Sequence, residues 1–121
     1  MLFRSHRDAL VIEGIGGIMV PLDERHTVLD LMVELDLPLI LAAGSYVGTL
    51  SHTLSALDVL DRNDLKVAAV VVNETPGGAA TLADTAATIR RFAPGIEVFE
   101  LPRLPEGMLE HPVMAWLADM M

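Results

Sequence analysis

The chain contains no cysteine and only one lysine, Lys66, among its 121 residues. The absence of cysteine excludes a disulfide framework and a thiolate metal site. The shortage of basic residues gives a formal net charge of −9. It disfavours nucleic acid and anionic membranes as partners, because both are bound through a basic face. An anionic ligand would therefore be held mainly by backbone amides, a metal ion or a partner chain.

Aromatic residues are also scarce, at 4% of the chain, although 52% of it is hydrophobic. The core must therefore be aliphatic, which is typical of a parallel sheet covered by helices. The sequence shows neither a signal peptide nor an apolar run long enough for a transmembrane helix. We expect a single cytoplasmic domain over residues 1–121.

Four short apolar runs are predicted to form strands, at residues 9–12, 39–43, 67–72 and 96–99. Segments of helical period follow these runs, and strands alternating with helices indicate βαβ units. The expected fold is an α/β fold in three layers, a four-stranded parallel sheet with flanking helices. Ligands bind such sheets at the carboxyl ends of the strands, so each loop after an apolar run is a candidate site.

Four helices are expected between and after these strands. Thr27 and Asp30 have the spacing of a capping box at the start of the first helix. Apolar residues at helical spacing are predicted to face inward, namely Val28, Leu31, Met32 and Leu35; Leu50, Leu54, Leu57 and Leu60; Leu82, Ala86, Ile89 and Phe92; and Val113, Trp116, Leu117 and Met120.

The first apolar run leads directly into a glycine-rich stretch, Glu13-Gly14-Ile15-Gly16-Gly17. Glycines let a backbone turn tightly and approach a ligand closely. A carboxylate at the end of a strand is well placed to hold Mg²⁺ beside phosphate oxygens. The same residues are equally compatible with a glycine-rich turn that carries a solvated glutamate.

The loops after the next two runs carry further candidates. Residues 44–48 lead into a helix at Thr49, whose free amides and dipole would suit a carboxylate or phosphate, although ordinary capping is favoured by the spacing alone. His52, one turn into this helix, is left without a role. Asn73 carries a donor and an acceptor that suit the edge of adenine, but asparagine is also a common turn residue.

Taken together and in order, these motifs resemble those of the dethiobiotin synthase family over residues 8–120. The matching segments are residues 13–17 with Pro21, the dipeptide Leu37-Pro38, residues 48–52, Asn73, and residues 102–104. Five motifs in the right order are much more specific than any single glycine loop.

The resemblance implies part of a P-loop NTPase fold related to the nitrogenase iron protein. It also implies an ATP- and Mg²⁺-dependent ligase of biotin biosynthesis, which converts 7,8-diaminononanoate and CO₂ into dethiobiotin. The implied ATP site consists of Glu13, Gly14, Ile15, Gly16, Asn73, Glu74, Pro102, Arg103 and Leu104, with Glu13 as the Mg²⁺ ligand. The implied site for the substrate carboxylate, contributed across a homodimer interface, consists of the amides of Gly48, Thr49, Leu50 and Ser51.

The sequence also departs from the family pattern. Ser51 stands where the family usually has asparagine, and Arg103 where it often has a bulky apolar residue. The 121 residues contain no G-x-x-x-x-G-K-[ST] motif, which would cradle the triphosphate. The chain is therefore expected to be the carboxyl-terminal half of a synthase, with no catalytic residue of its own and no activity in isolation.

Two other interpretations stay open. The first is a non-catalytic nucleotide- or substrate-binding regulatory module. The second is a relative among the ATP-dependent amidoligases of cobalamin synthesis, although residues 48–52 with Asn73 favour dethiobiotin synthase.

Overall fold

The computed structural model describes residues 3–6 and 9–120, with side chains from residue 10 onward. The chain divides into two compact units, one within Met1–Leu37 and the other Pro38–Met120. No helix of the described residues is long and apolar enough to cross a membrane.

The amino-terminal unit contains two strands and one helix. Strand β1 (Phe3–His6) pairs antiparallel with β2 (Ala9–Ile12) in a two-stranded sheet. The prediction of a strand at residues 9–12 is confirmed, but its assignment to a four-stranded parallel sheet is wrong. Only two residues separate β1 from β2, and a parallel pair needs a crossover of a dozen or more.

Helix α1 (Val28–Leu35) begins at the predicted capping box. The Asp30 amide donates to the Thr27 hydroxyl at 3.4 Å, and the Thr27 amide donates to the Asp30 carboxylate at 2.6 Å. Val28 is buried, as its place in the apolar stripe predicts, whereas Leu35 at the end of the helix is 39% exposed.

The carboxyl-terminal unit is an α/β layer structure with a parallel sheet, which confirms the predicted fold class. Its strands are β3 (Leu39–Gly44), β4 (Val67–Asn73) and β5 (Glu97–Leu101), with β4 in the centre. Helices α2 (Thr49–Arg62) and α3 (Leu82–Phe92) connect them, and α4 (Pro112–Met120) follows β5. Residues 69–72 of β4 are all buried, as an apolar run without polar residues predicts.

Helices cover both faces of this sheet. On one face, Val70, Val72 and Val98 pack with residues of α2 and α3, namely Leu57, Ala86 and Ile89. Consecutive right-handed crossovers place both helices on that face. Phe99 points the opposite way from Val98 because side chains alternate along a strand, and its ring lies 4.5 Å from that of Trp116 in α4.

Besides Leu35, two further residues predicted to face the core are exposed instead. Phe92 is 65% exposed and Met120 is 39% exposed. Each is the last residue of its helix. A helical period shows which side of a helix a residue lies on, but not how far the sheet extends beneath that side.

Candidate functional site: three loops at the carboxyl ends of the strands

The three parallel strands end at the same edge of the sheet, where ligands of such folds bind. Each is followed by a loop that contains residues predicted from the sequence: residues 44–48 after β3, 73–78 after β4, and 101–105 after β5. All three loops belong to the carboxyl-terminal unit.

The loop after β3 presents an open helix amino terminus. Gly48 is the N-cap of α2 and has no side chain to bond the first turn. The Thr49 amide donates to the Tyr46 carbonyl at 3.2 Å, and the buried Thr49 hydroxyl donates to the Gly44 carbonyl at 2.6 Å. Of the four amides predicted to bind a carboxylate, those of Gly48, Leu50 and Ser51 have no acceptor within the described chain. First-turn amides have no partner inside their own helix, so these three can receive an anion.

His52, to which the sequence alone assigns no role, lies beside this opening. Its Nδ1 is 3.0 Å from the Tyr46 hydroxyl, and the two rings are 5.8 Å apart. A Cβ at position 48 would lie 3.5 Å from His52 Cε1, so the imidazole packs against the glycine.

The loops after β4 and β5 are joined through Glu74. Its amide donates to the Leu101 carbonyl at 2.9 Å, and its carboxylate accepts a hydrogen bond from the Arg103 amide at 2.9 Å. Asn73 is the last residue of β4 and pairs with Leu101 of β5, and its side chain is exposed. Pro102 and Arg103 are exposed, whereas Leu104 is half-buried. The structure therefore brings together the residues of the predicted adenine site that lie in this unit.

A reciprocal pair of hydrogen bonds joins the loops after β3 and β4. The Ser45 amide donates to the Thr75 hydroxyl, and the Thr75 amide donates to the Ser45 hydroxyl, both at 2.9 Å. Neither residue belongs to the site predicted from the sequence. The available signal was the position of a hydroxyl side chain one residue after β3 and two residues after β4, where a hydroxyl can accept from the first amides beyond the ladder.

The remaining predicted site residues lie in the amino-terminal unit, in the stretch that follows β2. Residues 13–16 are exposed. Gly16 and Gly17 have φ angles of +87° and +110°, which explains why this turn needs glycine. No group of three or more His, Cys, Asp or Glu side chains among the described residues is placed to hold a metal ion. Mg²⁺ is commonly held by one or two carboxylates together with substrate phosphates and water, so the exposed Glu13 fits the role of a single protein ligand.

Two ionisable groups with shifted pKa values lie in the turn before α1. The hydrogen bond from the His26 ring, at 2.8 Å, and further bonds from the Arg25 and His26 amides lower the pKa of Asp23 to about 2. The same ring–carboxylate bond raises the pKa of His26. Neither residue belongs to the site predicted from the sequence.

A family model described as "AAA domain" matches residues 3–110. The ATP-dependent dethiobiotin synthetase BioD of Phenylobacterium zucineum is 46% identical over 103 residues, which cover 84% of this chain and 44% of the relative. The synthetase of the same name from Caulobacter vibrioides (strain NA1000 / CB15N) is 46% identical over 93 residues, covering 77% of the chain and 42% of the relative. That of Haloferax mediterranei is 39% identical over 109 residues, covering 84% and 47%.

The chain thus spans about half the length of the curated relatives it matches. The matched region contains the parallel strands, the open amino terminus of α2 and the joined loops after β4 and β5. The chain belongs to the AAA domain family, with a P-loop NTPase-like fold, and within it to the dethiobiotin synthetase family.

Proposed function

We propose that this chain supplies the base-binding and substrate-binding loops of an ATP-dependent dethiobiotin synthetase, a ligase of biotin biosynthesis. The observation that carries the proposal is the arrangement at the sheet edge. The open amino terminus of α2 lies at the same edge as Asn73 and the loop that Glu74 fixes. The similarity to named dethiobiotin synthetases supports the same function.

The adenine of ATP would be held by the loops after β4 and β5. The exposed Asn73 amide offers one donor group and one acceptor to a base edge. Residues 102–104 would pack beside the base. Their position is set by the bond between the Arg103 amide and the Glu74 carboxylate, so the acidic side chain serves the site by holding the loop.

The carboxylate of 7,8-diaminononanoate would be held by the amides of Gly48, Leu50 and Ser51, which have no acceptor within the described chain. The positive end of the α2 dipole favours a negative group there. A second copy of the chain would contribute this loop to the site of its partner, so we infer a homodimer. CO₂ would be the second substrate, and the protein would act in the cytoplasm.

The triphosphate would bring Mg²⁺ to the exposed carboxylate of Glu13, the metal ligand among the 121 residues. When bound, the ion neutralises charge on the phosphate oxygens. Gly14, Ile15 and Gly16 would offer their backbone to the same nucleotide. Because the sequence has no G-x-x-x-x-G-K-[ST] motif, the phosphate-binding backbone and lysine of the activity are supplied by residues outside these 121.

A regulatory module without catalysis is the second candidate function. The observation that favours it is the single lysine of the sequence, Lys66, which precedes β4 and so lies at the end of the sheet away from these loops. The relatives reported above carry the dethiobiotin synthetase name, and none of these three names an amidoligase of cobalamin synthesis.

Complementation separates the two candidates. The chain is mixed with the amino-terminal region of the Phenylobacterium zucineum synthetase, and dethiobiotin formation from diaminononanoate, bicarbonate and MgATP is measured. We expect product from the mixture, with Asn73→Ala raising the KM for ATP about tenfold, the loss of roughly 1.4 kcal/mol that one good hydrogen bond is worth.

The matched control is Asn63→Ala, which removes an exposed asparagine side chain at the end of α2, whose amide donates to the Val59 carbonyl. We expect it to leave both KM and kcat unchanged. Absence of product at every mixing ratio, with both polypeptides folded, would favour the regulatory module.

A further inference from the structure

The β3–β4 ladder continues beyond its last backbone pair through two side chains. The last pair of residues in register is Gly44 and Asn73. Just beyond it, each of Ser45 and Thr75 donates its amide to the hydroxyl of the other, at 2.9 Å in both directions. Ser45 is 1% exposed. A buried amide without an acceptor is costly, so the Thr75 hydroxyl is needed to satisfy the amide of Ser45.

Two glycines, Gly44 and Gly78, pack closely against this linkage. A Cβ at Gly78 would collide with the Ser45 carbonyl oxygen, and a Cβ at Gly44 would lie 2.8 Å from the Thr75 hydroxyl. The backbone of the loop after β4 therefore rests directly on Ser45. Neither loop can shift at this point without moving the other.

We propose that Ser45 and Thr75 are positioning residues that couple binding of the adenine nucleotide to binding of the carboxylate substrate. The inference rests on the proposed function, which assigns Asn73 to the base and the amides after Gly48 to the carboxylate. Thr75 lies two residues from Asn73, and Ser45 lies three residues before Gly48. The linkage is thus two or three residues along the chain from each proposed ligand-binding position.

The coupling arises because one bound ligand orders the loop that binds the other. A base held by Asn73 restricts the backbone of residues 73–75, and the reciprocal bonds pass that restriction to Ser45 and the turn before α2. A substrate carboxylate that binds afterwards pays less conformational entropy than it would in the free protein. Thermodynamic linkage requires the effect to be reciprocal, so bound substrate strengthens nucleotide binding by the same factor.

The hydrogen bonds are tested first without any ligand, by amide exchange of Ser45 in the ¹⁵N-labelled 121-residue chain. Thr75→Val keeps the shape of the side chain but removes the hydroxyl, and we expect the Ser45 amide to exchange at least tenfold faster. Thr75→Ser keeps the hydroxyl and should retain the slow exchange. Unchanged exchange in Thr75→Val would show that the bond is not formed and would overturn the inference.

The coupling is then measured with ATP and 7,8-diaminononanoate as probes. The affinity for MgATP, followed through the Asn73 amide shift, is determined with and without saturating diaminononanoate. We expect diaminononanoate to tighten ATP binding about fivefold in the wild type and in Thr75→Ser, the lower end of common coupling strengths. Thr75→Val should lose this factor while still binding each ligand alone. Ser45→Ala removes the reverse bond and replaces Thr75→Val if that variant fails to fold.

The matched control is Thr88→Val, which removes a threonine hydroxyl that bonds the Asp84 carbonyl within α3. It should retain the fivefold factor. Equal coupling in Thr75→Val and the wild type overturns the inference while leaving the proposed function intact. If neither ligand moves any amide of the wild type, the assignment of the two loops fails, and the coupling with it.

Discussion

At the scale of single residues, Gly78 shows how one missing atom allows two loops to meet. Its Cα lies against the carbonyl of Ser45, and a Cβ would also lie 3.1 Å from the Thr75 carbonyl. Both neighbours are backbone, which cannot rotate aside as a side chain can. The glycine is therefore needed for a close approach of two backbones.

We expect Gly78→Ala to lower the free energy of unfolding by about 1–3 kcal/mol, the usual cost of forcing extra volume into a packed region. Urea denaturation followed by circular dichroism measures the change. Ala80→Ser alters an exposed residue nearby and should stay within about 0.5 kcal/mol of the wild type. A Gly78→Ala protein as stable as that control would contradict the collision.

His26 and Asp23 give a second test at this scale. The folded pKa of His26 is raised, so protonation of its ring favours the folded turn. This contribution to the stability of the turn is complete below pH 6.5 and is lost as the pH rises through the raised pKa of His26. The pKa of Asp23 is lowered to about 2, so its contribution is present above pH 3.8 and is lost as the pH falls towards 2. The charged pair therefore stabilises the turn between about pH 4 and the raised pKa of His26.

We expect Asp23→Asn to return the pKa of His26 towards 6.5, because the substitution removes the negative charge and replaces the charged acceptor of the ring hydrogen bond with a neutral amide. An NMR titration of the imidazole nitrogens measures the shift. Glu24→Gln changes the adjacent exposed carboxylate and should leave the His26 titration as it is. An unchanged titration in Asp23→Asn would refute the contact.

At the scale of elements, aliphatic side chains in and near the helices differ widely in burial. Leu60 in α2 is 1% exposed, whereas Leu109, in the loop before α4, is 80% exposed. Leu60→Ala should lower the free energy of unfolding by about 2–5 kcal/mol, through lost burial and the cavity it leaves. Leu109→Ala should change it by less than about 0.5 kcal/mol. Equal losses in urea denaturation of the two variants would mean that α2 does not pack as described.

Every helix and every strand except β1 could be predicted from the sequence, because the signals for these elements are local. Apolar runs gave the strands, the Thr27–Asp30 spacing gave the start of α1, and prolines and glycines marked the ends. Strand pairing could not be predicted in the same way. Residues 9–12 look like a buried parallel strand, but the partner of β2 is β1, two residues away, and no parallel connection is that short.

The candidate site was predictable only where the chemistry lies in one loop. Asn73 and the glycine at the start of α2 stand out because a polar or small residue interrupts an apolar pattern. The linkage between Ser45 and Thr75 joins positions 30 apart in the chain. Neither residue has an unusual neighbourhood in the sequence, so the pair becomes visible only when the strands are in register.

At the scale of the whole molecule, charge limits what the chain can bind alone. The net charge is −9, and the phosphate-binding motif of the fold is absent from the 121 residues. The triphosphate carries most of the charge of ATP, and its usual holders are P-loop amides and a lysine. On the proposed function, the isolated chain would rely on contacts to the base and on a metal ion at Glu13.

We expect titration calorimetry of the isolated chain with MgATP to give a Kd on the order of 1 mM, about 4 kcal/mol of binding free energy. Asn73→Ala should abolish the measurable heat, whereas Asn63→Ala should not. No dethiobiotin should form, because phosphoryl transfer depends on positioning and charge stabilisation. Micromolar binding, or product from the isolated chain, would contradict this account of the phosphate site.

The ring contact between Phe99 and Trp116 provides an intrinsic fluorescence signal for the packing of α4. Trp116 is the one tryptophan of the sequence, so ultraviolet emission of the chain excited at the indole reports on the docking of α4 against β5. Circular dichroism instead averages over all helices. Coincident transitions by the two signals would indicate that α4 unfolds with the sheet. An earlier shift of the emission would identify the last helix as a separate, less stable cooperative unit.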